Sequence, residues 1–288
     1  MSVRDEKIGP TAHYTAYTWK RLGLPYADLF ATDTGALLFW GFRLAGEWAA
    51  VVLPGVPSMA EYLGLRHRLI DAEIERIAPD RIVELGAGLS RRGVTWAADH
   101  ATSYVEVDLP HMIGEKREAL RHAPPELQAR LLTRLRHEPR DVLSPELGAW
   151  LGGILRGASR PLVVAEGLLG YFAEDERLRV ARSVRDALAA SGGGTFLCDL
   201  RAREGGARVA AAASVLRAGI RLATRGRGAG KDFASHAAIR AFFRAAGFDA
   251  AEPVDPSAVP DLAHVVSPAR IWRADVGSRA DPSPRAPS

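Results

Sequence analysis

Four acids and two glycines in this chain stand where they could hold a ligand or take part in a reaction: Glu84, Asp108, Asp141, Glu166, Gly86 and Gly88. Residues 81–88, Arg-Ile-Val-Glu-Leu-Gly-Ala-Gly, read as a buried strand running into glycines, with Gly93 opening a helix. Glycines at a strand's C-terminal edge let backbone N–H groups approach a ligand with no Cβ in the way. A nucleotide pyrophosphate and the amino-acid end of S-adenosylmethionine (SAM) both suit such a loop. The dinucleotide pattern needs its third glycine at position 91, where Arg91 stands. Asp108 ends the next strand about 20 residues on, where a carboxylate can accept from both hydroxyls of a ribose; a helix-capping aspartate is the alternative. Asp141 and Val142 could meet an adenine through a carboxylate and a backbone N–H, or form an ordinary turn. Glu166 closes the apolar run 161–165, where a carboxylate is costly unless paired, so a ligand or catalytic role is favoured.

These residues must be held by regular elements. Short apolar strands at 81–86, 103–108, 161–166 and 194–200 alternate with helical patterns near 92–100, 110–121, 145–155 and 174–190. That alternation predicts βαβ units, a parallel sheet and a ligand at the strands' C-terminal ends. Residues 1–79 read as a helical cap, with helices at 11–21, 35–53 and 58–77. The ligand-binding core spans 80–275. Within it, 203–232 form a helical insertion that ends in a glycine-rich loop at 225–232. A helix at 235–246 and strands around 248–252 and 264–273 close the core, and 276–288 form a disordered Pro/Ser/Arg tail.

Bulk properties narrow the class. The chain has 288 residues, 47% apolar and 25% charged, with a net charge of +4, which suits a globular protein with a sizeable core. No basic tract interleaves with aromatics, which argues against nucleic-acid binding. The most apolar window, 36–56, is broken by Arg43, Glu47 and Pro54, so it reads as a packed helix or lid and not as a membrane span. A single cysteine, Cys198, in an apolar strand and a polar N-terminus fit the cytoplasm. The eight histidines show no ligand-like spacing, so no metal site is expected.

Four stretches taken together resemble the leucine carboxyl methyltransferase superfamily, in particular its bacterial polyketide O-methyltransferase branch, typified by the tetracenomycin methyltransferase. They are Val83 to Gly93, Tyr104 to Pro110 with Lys116 and Arg117, Asp141-Val142, and Ala165 to Tyr171. The resemblance implies an α/β, class I SAM-dependent methyltransferase fold, Rossmann-like with a mostly parallel seven-stranded sheet and a helical cap. By position, Arg66 would grip the SAM carboxylate, with Arg68 as its competitor, and Lys20 would be a second carboxylate-binding residue. Glu84, Gly86 and Gly88 would lie at the methionine part and Asp108 at the ribose. Asp141 and Val142 would take the adenine, and Glu166 would stand near the sulfonium and amino group. Many relatives carry Asp-Thr-Arg where this chain has Ser90-Arg91-Arg92.

The resulting expectation is SAM-dependent O-methylation of a carboxylate or hydroxyl on a small molecule such as a polyketide. An ionised carboxylate needs no general base, whereas a phenol must lose its proton. The candidate bases are Glu166, Tyr171 and His13, with His111 and His236 behind them. The aromatics of the first two helices, Tyr14, Tyr17, Trp19, Phe39, Trp40, Phe42 and Trp48, are expected to wall an acceptor pocket or to form the cap's own core. An NAD(P)-dependent oxidoreductase and a catalytically silent interaction protein are the competing readings.

Overall fold

In the computed structural model, which describes residues 9–46, 58–204, 232–265, 267 and 269–277, apolar runs become strands covered on both faces. The strands are β1 (Arg81–Leu85), β2 (Ser103–Asp108), β3 (Leu135–Pro139), β4 (Pro161–Ala165), β5 (Gly194–Arg201), β6 (Ala250–Pro253) and β7 (Ala269–Val276). They form one seven-stranded sheet in the order β3-β2-β1-β4-β5-β7-β6. All neighbouring pairs are parallel except those made by β7, which runs antiparallel to both β5 and β6. The fold is therefore α/β with a mostly parallel sheet, as expected.

Alternation along the strands divides the interior into two cores. On one face, Val83, Leu85, Val163, Phe196 and Trp272 pack with helices α7 (Leu147–Leu155), α8 (Glu174–Ala190) and α9 (His236–Ala246). On the other, Ile82, Tyr104, Leu162, Val164 and Leu197 meet α3 (Met59–Ile77), α4 (Arg92–Asp99) and α6 (Pro125–Leu131). Helices α1 (Gly9–Arg21) and α2 (Asp33–Gly46) precede them, and α5 (Pro110–Arg121) follows β2.

Helix α3 positions much of the site. Ser58 starts it with a capping box: its hydroxyl accepts from the Glu61 N–H at 3.1 Å, and the Glu61 carboxylate accepts from the Ser58 N–H at 2.8 Å. Its inner side buries Leu65, Leu69, Ile70 and Ile74 against the sheet. The sequence pattern separates this helix into a cap, yet its second half lies in the sheet's own core.

Two elements escape the pattern. Strand β3, Leu-Arg-His-Glu-Pro, is an edge strand whose one buried residue is Leu135, so it lacks an apolar run. Helix α6 is only seven residues long. Strand β7 extends to Val276, three residues beyond its expected end. The expected continuation of α2 to 53, the insertion helix with most of its glycine-rich loop, and the tail beyond Gly277 lie outside the described residues. Among the described residues, no helix is long and apolar enough to cross a membrane.

Candidate active site

The loop after β1 is locked to the end of β2. The N–H groups of Gly86 and Ala87 both donate to the Val107 carbonyl, at 2.8 and 3.1 Å. Gly86 and Gly88 have φ of 68° and 50°, the left-handed region that glycine enters without strain. A Cβ on Gly86 would lie 2.7 Å from Leu168, and one on Gly88 would lie 3.3 Å from Ala12 of α1. The Asp108 carboxylate accepts from the Gly88 N–H and the Leu109 N–H, both at 2.7 Å. It makes no helix cap of the kind the alternative reading required, because Leu109 occupies that position. Burial pushes its pKa up, against the pull of those two amides.

The two arginines after Ser90 have turned inward. Arg92, with no exposed surface, joins acids from three separate elements. Its Nε donates to Asp71 at 2.7 Å, Nη1 to Glu84 at 2.5 Å, and Nη2 to Glu166 at 2.7 Å. Arg91 also donates to Asp71, and to the Thr95 hydroxyl at 2.9 Å. Glu84 takes a second hydrogen bond from the Tyr104 hydroxyl at 2.9 Å, and burial pushes its pKa up. Glu84, expected at the cofactor, is thereby committed to the interior. Gly93 is also explained by the interior: a Cβ there would collide with the Glu106 carboxylate, which holds Lys116 at 2.6 Å.

Glu166 is the meeting point. Arg66 Nε donates to Oε1 at 3.0 Å, while Arg92 Nη2 and His67 Nδ1 lie 2.7 and 2.9 Å from Oε2. Despite burial, these cations and the adjacent imidazole hold its pKa well below the usual carboxylate range. His67 is fully buried, stacked on Trp19 with ring centroids 4.2 Å apart, and burial pushes its pKa down. Beyond Glu166, Arg66 Nη1 lies 3.5 Å from Asp199 Oδ2, and Asp199 Oδ1 accepts from the Gly167 N–H at 2.5 Å. Burial, and the Asp199 and Glu166 carboxylates opposing it, leave the Arg66 pKa above its already high ordinary value.

The remaining candidates are placed less centrally. Lys20 is half-exposed and pairs with Asp28 at 3.1 Å, so the structure does not bring it to Arg66. Arg68 forms a two-pronged pair with Asp261, so of the two competing arginines it is Arg66 that reaches Glu166, beside Arg92. His13 lies 3.0 Å from the Thr32 hydroxyl and 3.3 Å from Glu115, a bridge between elements. Tyr171 sits beside Thr11, and burial pushes its phenol up. Asp141 closes a turn by accepting from the Leu143 N–H at 2.9 Å, and Val142 packs in the core. Tyr14, Tyr17, Phe39 and Phe42 pack on one another. Trp48 lies outside the described residues. Asp199 and Arg92 were not anticipated as site residues. The signal for Asp199 was available, since it follows the apolar run 196–198 as Glu166 follows 161–165.

These residues fit SAM. At Gly86 a side chain would be strained by the left-handed backbone and would crowd Leu168, and each Asp108 oxygen keeps a lone pair for a ribose hydroxyl. Next to Asp108, His111 Nε2 and Arg140 Nε are buried with no hydrogen-bond partner among the described residues.

Solved structures similar to this fold include methyltransferases. A proposed methyltransferase from Thermobifida fusca is 16% identical, with 93% of this chain and 94% of that one covered and a TM-score of 0.53. A proposed O-methyltransferase from Nostoc punctiforme is 14% identical, covering 84% and 72% of the two chains, also at 0.53. The human N-acetylserotonin methyltransferase in complex with SAM is 12% identical, covering 94% and 67%, at 0.50. No curated protein sequence matches the chain. The fold is that of the class I SAM-dependent methyltransferases. The pattern of the leucine carboxyl methyltransferase family matches residues 25–185, more than half of the chain. The chain belongs to that family.

Proposed function

We propose that this methyltransferase acts on a carboxylate oxygen of a small, largely apolar acceptor, of the polyketide or secondary-metabolite type, in the cytoplasm. The observation that carries this reading is the state of the candidate bases. Glu166 is held ionised by three partners and has little affinity for a proton. The Tyr171 phenol is pushed up and stays protonated, and His13 is tied to Thr32 and Glu115. An acceptor that arrives ionised needs none of them.

In this reading Gly86 and Gly88 cradle the methionine part, Asp108 holds the ribose, and Asp141 and Val142 flank the adenine. Arg66 takes the amino-acid carboxylate while its partner Glu166 stands by the amino group. When bound, SAM supplies an electrophilic methyl on a sulfonium; its transfer breaks the S–C bond, forms the O–C bond, leaves the electron pair on sulfur and moves no proton. The protein's part is to align the acceptor oxygen and exclude water, so positioning supplies much of the rate. The fixed guanidinium and carboxylate pairs of Arg66, Arg92 and Glu166 provide a frame that does not reorganise during the reaction.

The test is incubation with methyl-labelled SAM and matched pairs of aromatic acids and phenols. Mass spectrometry should find methyl esters of the acids. Asp108→Ala should weaken S-adenosylhomocysteine binding at least about tenfold by calorimetry, the scale of losing charge-assisted hydrogen bonds. Methylation of phenols alone would refute the carboxylate reading, and tight cofactor binding without turnover on any acceptor would favour a silent scaffold.

A further inference from the structure

Strand β5 carries an acid, Asp199, one residue past the Cys198 that pairs with Ala165 at the end of β4, and itself ends in a cation two residues later, Arg201. Asp199 and Arg201 have the same parity as Leu197, which packs on the α3 side of the sheet. Asp199 is committed to the loop after β4 through the Gly167 N–H and faces Arg66. Arg201 is placed differently. Its Nε donates to Asp232 at 2.9 Å, the one hydrogen bond of its side chain among the described residues, and that side chain keeps 15% of its surface exposed. The Nη2 edge lies 3.9 Å from where a Cβ on Gly170 would stand, so Gly170 presents no side chain to that edge.

A second guanidinium stands close by. Arg177 is buried, donates from Nε to the Phe172 carbonyl at 3.0 Å, and lies 5.4 Å over the Phe233 ring. Burial and then the neighbouring Arg201 lower its pKa, while Asp232 and Glu174 oppose the shift. Asp232, held by Arg201, thus also attracts Arg177, and Glu174 acts on Arg177 from the start of α8. Tyr62 and Tyr171 both lie in the field of Arg66, Asp199 and Arg201; burial pushes both phenols up, so they remain hydrogen-bond donors. Donors, cations and the Phe233 ring suit an anion with an apolar body.

Strand order fixes where this corner lies. Asp108, Gly86, Glu166 and Arg201 stand at or just after the carboxyl ends of β2, β1, β4 and β5, which are successive neighbours in the sheet. At about 4.8 Å per strand, Arg201 is roughly 14 Å from Asp108 across the sheet. A cofactor laid over β2, β1 and β4 therefore leaves the end of β5 for the acceptor.

We propose that Arg201 is the residue that anchors the methyl acceptor's carboxylate, in the corner where the turn after β4 meets the end of β5. This assignment rests on the carboxylate reading above. The experiment compares the wild type with Arg201→Met and Arg201→Lys. Methyl transfer is measured on 1-naphthoate, benzoate, 1-naphthol and phenol, and S-adenosylhomocysteine binding is measured by calorimetry. The expected result is a KM for the acids raised roughly 10- to 100-fold in Arg201→Met, the scale of losing a charge-assisted pair. The kcat should change far less, cofactor affinity should stay the same, and Arg201→Lys should recover part of the loss. An unchanged KM for the acids in Arg201→Met would overturn the assignment and leave carboxyl methylation standing. Turnover of the naphthol or phenol with none of the acids would overturn both. Equal loss of cofactor binding in both variants would make Arg201 a residue of the fold and overturn the assignment.

Discussion

Replacing Arg92 by methionine tests the logic of the buried network most directly. Its three carboxylate partners do not suffer equally. Asp71 keeps Arg91, and Glu166 keeps Arg66 and His67, but Glu84 keeps only the Tyr104 hydroxyl. Glu84 is 2% exposed, so the variant strands one buried charge. Breaking a buried pair in this way costs about 3–5 kcal/mol, a large share of a total stability of about 5–15 kcal/mol. At a urea m-value of about 3 kcal/mol/M, the unfolding midpoint should fall by roughly 1–2 M, followed by tryptophan fluorescence. Adding Glu84→Gln should restore more than half of that loss, because removing both charges leaves no uncompensated ion. The sign of the pH dependence follows as well. Burial already raises the Glu84 pKa and Arg92 opposes it, so in Arg92→Met the folded value climbs further above the unfolded one. Stability is then greatest below the unfolded carboxyl pKa and is lost as pH rises through the folded value. The single variant should accordingly be less impaired at pH about 5 than at pH about 8. If Glu84→Gln gives no rescue and the deficit is independent of pH, the stranded-charge account is wrong.

Two further outcomes are expected. Gly86→Ala should cost about 1–3 kcal/mol and weaken cofactor binding, because it combines a left-handed backbone with a collision on Leu168. Gly88→Ala, which meets only Ala12, should cost less by the same urea titration; equal costs would refute the packing argument. With an aromatic acid as acceptor, kcat/KM should stay flat from pH about 6 to 9, since the acceptor and Glu166 are ionised throughout. A log-linear rise of slope one would demand a base.

Strands β1, β2, β4 and β5 were readable because each carries an apolar run, broken in β1 and β2 only by the single buried acids Glu84 and Glu106, and the positions of Gly86, Gly88, Asp108 and Glu166 follow from where those runs stop. Strand β3 was not readable, because an edge strand with polar alternation looks like a loop. Lys20 was placed by family position alone, and a half-exposed lysine has a nearer partner in Asp28. Arg92 escaped for a different reason. Adjacent arginines in a turn look like surface charge, and what draws Arg92 inside is three acids at 71, 84 and 166 that only the folded chain assembles.

Helix α3 carries Arg66, His67 and Asp71 on the same rod as Ile70 and Ile74, which are fully buried in the sheet's core. The backbone amides around Arg66 should therefore exchange with solvent only when the whole domain opens, and their protection should change little when cofactor is added. A ligand arriving at such a site orders almost nothing in this helix, so little of its binding free energy is lost to conformational entropy there. Selective loosening of Arg66 by evolution would have to pass through the stability of the entire sheet, which ties the chemistry of this enzyme to its folding.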